Sequence, residues 1–123
     1  MGLDMYLGGV CEVDEPKGEP PRPFGENGKP PRFFGLWRKH WPLHTYIVTQ
    51  FAGGMDEYHK THVLSVRLSA SQLQTAIAAL RAGEIRPYPG QSAGKDLAIF
   101  QNALAWLEAS EGDERAVYYE AND

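Results

Sequence analysis

Apolar and polar residues alternate along three short stretches of the chain. The stretch 2–7 places three apolar side chains on one face and Asp4 and Tyr6 on the other. The stretches 62–68 and 116–120 alternate in the same way. A period of two is typical of a strand with one buried face, so the pattern predicts three strands.

A helical period begins after the densest aromatic segment of the chain. Pro42 can occupy a first helical turn at no cost, and Gly53 supplies a left-handed stop. Between them apolar residues recur every three or four positions. This predicted buried stripe consists of Leu43, Tyr46, Ile47 and Phe51. At 100° per residue, His44 lies at the edge of the stripe.

Two further helices are predicted in the second half of the chain. Ser69 followed three residues later by Gln72 is the pattern of a capping box, and the helix after it ends at Gly83. The third helix covers about 95–110, and its apolar side spans roughly half the circumference. A face this wide predicts packing on two sides.

The order of these elements predicts an α+β fold in a single domain, residues 1–123. We expect a small, mainly antiparallel sheet of three to four strands, with 33–37 as the fourth, and three helices packed on one face. Residues 14–32 hold six of the nine prolines and are predicted to form a Pro/Gly-rich loop or insert. Residues 55–61 are polar and are predicted to form a second loop.

Composition narrows the classes of function. The formal net charge is −4, which argues against non-specific binding to nucleic acid or to anionic membranes. No apolar run approaches the roughly 20 residues that a membrane span needs, and no secretory signal is expected. The single cysteine, Cys11, excludes an intrachain disulfide. We therefore expect a cytoplasmic protein with no membrane partner.

Histidine pairs are the candidate metal ligands. His59 and His62 are three residues apart, and His40 and His44 are four apart, although Pro42 argues against one helix containing both of the latter. Neither spacing matches a strong zinc signature. The sequence therefore predicts no metal site and no cofactor, with His59 and His62 as weak candidates.

Three segments resemble a family of small uncharacterised proteins of phages and bacteria. The chain opens with MGLDMYL, and WRK at 37–39 is followed after four residues by His44 and an aromatic-apolar segment, 45–48. The last helix is followed by VYY at 117–119. The resemblance covers roughly half of the chain, in the same order, and it brings no known activity with it.

The resemblance implies a set of four matched polar residues: Asp4, Arg38, Lys39 and His44. If the first strand and the central segment are neighbours, these side chains could line one polar pocket. An Asp–Arg or Asp–His pair could equally be a structural pin that holds the first strand to the helix. The sequence favours the pin.

Two functions remain open. The first is a small accessory or interaction protein without catalysis, either phage-associated or bacterial, whose partner is a second copy or another protein. It would use an exposed sheet edge or the Pro-rich loop. The second is a small-ligand-binding protein or an enzyme that uses the pocket of Asp4, Arg38, Lys39 and His44. We favour the first, because no motif for nucleophilic catalysis is present.

Overall fold

The computed structural model describes residues 2–11, 32–110 and 115–123. Nearly all of the predicted Pro/Gly-rich loop therefore lies outside the described residues. In chain order the elements are β1 (Asp4–Cys11), β2 (Arg32–Arg38), α1 (Trp41–Phe51), α2 (Met55–Tyr58), β3 (Val63–Leu68), α3 (Ala70–Arg81), α4 (Ala93–Glu108) and β4 (Arg115–Asn122).

The four strands form one antiparallel sheet in the order β2-β1-β4-β3. The first strand lies in the centre and pairs with the last, so that Asp4 is opposite Asn122 and Leu7 is opposite Tyr119. The predicted α+β class and antiparallel sheet are confirmed, and residues 33–37 belong to the fourth strand.

The main hydrophobic core lies between the helices and one face of this sheet. Leu3, Met5 and Leu7 are fully buried there, as the alternation predicts, together with residues of all three long helices. Asp4 and Tyr6 lie on the opposite face, which carries the exposed side chain of Leu36 on β2 and of Val63 on β3. No helix in the described ranges is long and apolar enough to cross a membrane.

The three predicted helices are confirmed, and a fourth, α2, replaces part of the loop predicted at 55–61. Helix α2 is a single turn, which is too short to show a helical period, so the sequence pattern does not predict it. Gly54 has a positive φ of 97° at its start, and Asp56 and Glu57 occupy its first turn, where negative charge is favourable.

Helix α4 contacts β2 and reaches the first strand where two glycines leave room for it. A Cβ added to Gly9 would lie 2.5 Å from Cζ3 of Trp106, and one added to Gly35 would lie 2.8 Å from Cδ1 of Ile99. The register of β1 against β2 shifts between Leu7 and Gly8 in the same region. This close approach packs one side of α4 on the sheet, and α3 packs against another side, as the wide apolar face predicts.

Candidate functional site

Three of the four polar residues singled out by the resemblance lie together at the end of the β1–β2 pair. Asp4 is opposite Arg38 in the sheet, and its Oδ1 lies 3.6 Å from Arg38 Nε. The backbone N–H of Lys39 donates to the carbonyl of Leu3 at 2.7 Å. With Gly2 and Leu3 the three residues line a depression of about 250 Å³.

The Asp4–Arg38 pair is exposed to solvent. The Arg38 side chain is 78% exposed and that of Asp4 39%, so water and salt screen the attraction between them. Exposed pairs of this kind contribute about 0–1 kcal/mol to stability. The pair links β1 to β2, but it is a weak pin.

His44, the fourth residue, is on the other side of the sheet. Its side chain is fully buried in α1, and Nδ1 shares a hydrogen bond of 2.5 Å with the hydroxyl of Tyr119 on β4. Tyr119 belongs to the core beneath the helices, whereas Asp4 is on the opposite face. The structure thus brings Asp4, Arg38 and Lys39 together and places His44 apart from them.

The helical period predicts an edge position for His44, but α1 is rotated so that His44 faces the core. The buried residues of the helix are Leu43, His44, Ile47 and Val48, while Tyr46 and Phe51 are only partly buried. Tyr46 leans towards α3, where its hydroxyl donates to the carbonyl of Thr75 at 3.5 Å. The side of α1 that faces the sheet therefore includes His44.

Aromatic rings surround the His44 imidazole. The ring centre of Tyr58 on α2 lies 4.4 Å away at an angle of 70°, and that of Trp41 lies 5.6 Å away. His44 Nε2 has no hydrogen-bond partner. Whichever nitrogen carries the proton, one polar atom of the ring is therefore buried without a partner, an unfavourable arrangement.

Burial sets the protonation states in this cluster. It lowers the pKa of His44 from 6.5 to about 4, partly opposed by the negative charge of Asp123. Burial also raises the pKa of Tyr58 to about 12, helped by Asp123, and raises that of Tyr119 well above 10. At neutral pH the imidazole is neutral and both phenols are protonated. None of the three has the pKa near 7 that suits a general acid or base.

A second buried polar network joins residues for which the sequence predicts no common role. Trp37 Nε1 donates to Asp96 Oδ1 at 2.7 Å, and His40 Nε2 lies 2.6 Å from Asp96 Oδ2. His40 Nδ1 accepts the backbone N–H of Leu43 at 3.4 Å, which makes His40 the N-cap of α1. That bond leaves the ring proton on Nε2, directed at the carboxylate.

This network ties β2, α1 and α4 together with each of its hydrogen-bonding atoms engaged. A signal for it exists in the sequence: Asp96 is four residues before Phe100 and seven before Ala103, on the buried side of α4. An acidic residue on an apolar stripe indicates a buried partner. The sequence does not show which donors that partner supplies.

The weak metal candidates His59 and His62 lie at the turn between α2 and β3. Both are exposed, and their ring centres are 5.5 Å apart. His62 Nδ1 lies 2.7 Å from Oδ1 of Asp123, which follows β4. In the described part of the chain, no three His, Cys, Asp or Glu side chains are grouped so that they could hold a metal ion.

Comparisons of the chain with protein-family models, with curated proteins and with solved structures found no match. The resemblance to small phage and bacterial proteins therefore stays a prediction.

Proposed function

We propose that this chain is a small accessory protein that acts by binding a protein chain along the edge of β3, without catalysis of its own. The observation that supports the proposal is the position of β3. It is the last strand of the sheet, and in the described residues it pairs with β4 on one side only. An edge strand offers backbone donors and acceptors to an added strand.

The direction of these backbone groups follows from the ladder. Asp123 N–H donates to the carbonyl of His62 at 3.1 Å, and the register then alternates along β3. Leu64 and Val66 therefore direct their N–H and C=O groups at β4, and Ser65 directs its own away from it. The Ser65 groups lie at the centre of the side of β3 that faces away from β4, while the N–H and C=O of Val63 on that side contact the Thr61 hydroxyl at 3.4 and 3.1 Å.

The two edges of the sheet differ in how well they resist pairing. Strand β2 contains Gly35, ends in Arg38 and adjoins the shift of register, all of which discourage an added strand. Strand β3, VLSVRL, is regular, has no proline or glycine and carries one charge. Val63, the first residue of β3, is 61% exposed. β3 is thus the less protected edge.

The partner that fits this edge is a second copy of the chain. Antiparallel pairing about Ser65 places Val63 opposite Arg67 of the second copy, so no like charges are opposed. It also keeps Leu64 and Val66 on the helix-covered face in both copies, as continued sheet pairing requires. A depression of about 390 Å³, lined by Tyr6, Val63, Ser65 and Glu120 among others, borders the same edge.

The polar groups support a role without catalysis. Trp37, Asp96 and His40 satisfy one another, and the Asp4–Arg38 pair is exposed. His44 is enclosed, so no substrate can reach it in this conformation. The ligand-binding alternative keeps one supporting observation, the depression that Asp4, Arg38 and Lys39 share.

The proposal also covers the biological source and the cellular location of the protein. The opening heptapeptide and the central WRK segment support a phage-associated or bacterial protein, through the resemblance alone. The presence of one cysteine in 123 residues supports a cytoplasmic location, where thiols stay reduced.

The test is the mass of the untagged chain in solution, by light scattering after size exclusion and by native mass spectrometry. We expect a dimer. Ser65→Pro removes an N–H that points away from β4, and should give a monomer with an unchanged circular dichroism spectrum. Ser65→Thr keeps that N–H and should remain dimeric.

A monomeric wild-type chain at every concentration would refute pairing between copies. So would a Ser65→Pro variant that is folded and still dimeric. In native spectra, a small molecule bound in stoichiometric amount would instead favour the ligand-binding alternative.

A further inference from the structure

The exposed turn between α2 and β3 brings two imidazoles to a separation that fits a shared metal ion. His59 follows the last residue of α2 and His62 precedes the first residue of β3, with their ring centres 5.5 Å apart. In a tetrahedral zinc site each ligand nitrogen lies about 2.0–2.1 Å from the metal, which puts two imidazole centres about 5 Å apart. The distance between the two ring centres is thus close to that of two imidazoles that share one ion.

The carboxylate of Asp123 prepares one of these rings for binding. Its Oδ1 lies 2.7 Å from His62 Nδ1, and a carboxylate only accepts hydrogen bonds, so Nδ1 carries the proton. His62 Nε2 then keeps the lone pair that a metal ion requires. A carboxylate–histidine pair of this kind is the usual outer support of a metal ligand.

The backbone holds this arrangement in place. Asp123 N–H donates to the carbonyl of His62 at 3.1 Å, so each of the two residues contacts the other twice. The Asp123 side chain is 13% exposed, against 51% for that of His62. His62 has a positive φ of 56°, which is uncommon for a residue other than glycine and often marks a functional position.

We propose that His59 and His62 bind one divalent transition-metal ion such as Zn²⁺, with Asp123 as the residue that orients His62. The spacing of the two histidines is visible in the sequence, but the support from Asp123 is visible only in the structure. Since no group of three ligating side chains occurs in the described ranges, water would complete the coordination. Imidazole ligands favour zinc, copper or nickel over magnesium or calcium.

This proposal is independent of the pairing proposed for β3, and its test does not depend on oligomeric state. The full chain, without a histidine tag and freed of metal by a chelator, is titrated with Zn²⁺ in a calorimeter at neutral pH. We expect one ion per chain. We also expect the melting temperature to rise with zinc, because a ligand that binds the folded state stabilises it.

Variants identify the ligands. His59→Ala and His62→Ala should each abolish the calorimetric signal and the rise in melting temperature, and Asp123→Ala should weaken zinc binding about 10-fold or more. Lys60→Ala is the matched control, because Lys60 lies between the two histidines and its exposed ammonium donates to Glu57 rather than to either ring. It should bind zinc as the wild-type chain does.

Two results would overturn the proposal. One is a wild-type chain that binds no zinc. The other is binding that survives in either single histidine variant, since the site needs both rings.

Discussion

Acid should destabilise the folded chain through the protonation of His44. The pKa of this imidazole lies about 2.5 pH units below its ordinary value of 6.5, because its burial disfavours the charged form. One pH unit of difference between the folded and unfolded states corresponds to about 1.4 kcal/mol. His44 alone should therefore reduce the free energy of unfolding by about 3 kcal/mol on acidification.

The direction of the effect and its pH range follow from linkage. Above pH 6.5 the imidazole is neutral in both states, so its titration does not change stability there. Between pH 6.5 and about 4 the unfolded chain takes up a proton that the folded chain refuses, so stability falls as the pH falls. Below about pH 4 both states are protonated, and this contribution becomes constant.

The comparison needs a variant that keeps the ring volume and removes the titration. Replacing His44 by Phe alone would leave the Tyr119 hydroxyl without its partner, so Tyr119→Phe is added. Removing both partners together with apolar groups of similar shape can be nearly neutral or stabilising. The double variant should therefore unfold at neutral pH with a free energy close to that of the wild-type chain, or above it.

The assay is urea unfolding followed by tryptophan fluorescence at pH 7, 6, 5 and 4, with a chelator present. Other titrating groups are common to both proteins and cancel in the difference between them. That difference should shift by about 3 kcal/mol in favour of the double variant between pH 7 and pH 4. His59→Gln removes an exposed histidine, and this variant should lose most of the unfolding free energy that the wild-type chain loses between pH 7 and pH 4. A difference that does not change with pH would refute the reasoning, as would an NMR titration of His44 near pH 6.5.

Two further substitutions test how the core is held together. Asp96→Ala leaves a buried indole and a buried imidazole without their acceptor, so it should lower the free energy of unfolding in urea by about 3–5 kcal/mol. Its control is Lys95→Ala, at the exposed residue before it, which should have little effect. Gly9→Ala would place a methyl group 2.5 Å from the Trp106 ring and should lower the free energy of unfolding by about 1–3 kcal/mol. Gly94→Ala, where the nearest atom is 3.6 Å away, is its control and should not destabilise the fold. Equal stabilities of the two alanine variants at glycine positions would contradict the close packing of α4.

Periodicity predicted residues 3–7 and β3 well because buried and less buried positions alternate there, whereas in β4 the four consecutive residues 116–119 are all buried. In β1 and β3 the alternation survives along most of the strand, so the sequence shows which residues face the helices. In α1 the same reasoning was less accurate. Its apolar residues cover two adjacent sides, one towards the sheet and one towards α3 through Tyr46. A helical period does not show which of the two is buried more deeply, and His44 lies on the deeper one.

The polar contacts could not be predicted from the sequence, for a different reason. Trp37 is 59 residues from Asp96 in the chain, and His44 is 75 residues from Tyr119. No local pattern encodes partners at such separations, because the pairing depends on how whole elements pack. The resemblance did identify His44 as a residue of interest, but it grouped His44 with Asp4, which lies on the other face of the sheet.

Three polar contacts anchor α1 and the turn after α2 to the rest of the fold, and they indicate where the fold would open first. Asp96 fixes the start of α1 to α4, His44 fixes α1 to β4, and Asp123 fixes the turn after α2 to the end of β4. Among the residues that the structure describes, the His44 contact alone leaves a buried polar side-chain atom without a partner: Nε2, whose ring lies against that of Tyr58 on α2. Protonation would turn that atom into a charged donor with no acceptor, which can be relieved by moving α2 away and admitting water. The region around α1 and α2 should therefore be the first to open in acid, and amide exchange at pH 4 should rise there before it rises in β1.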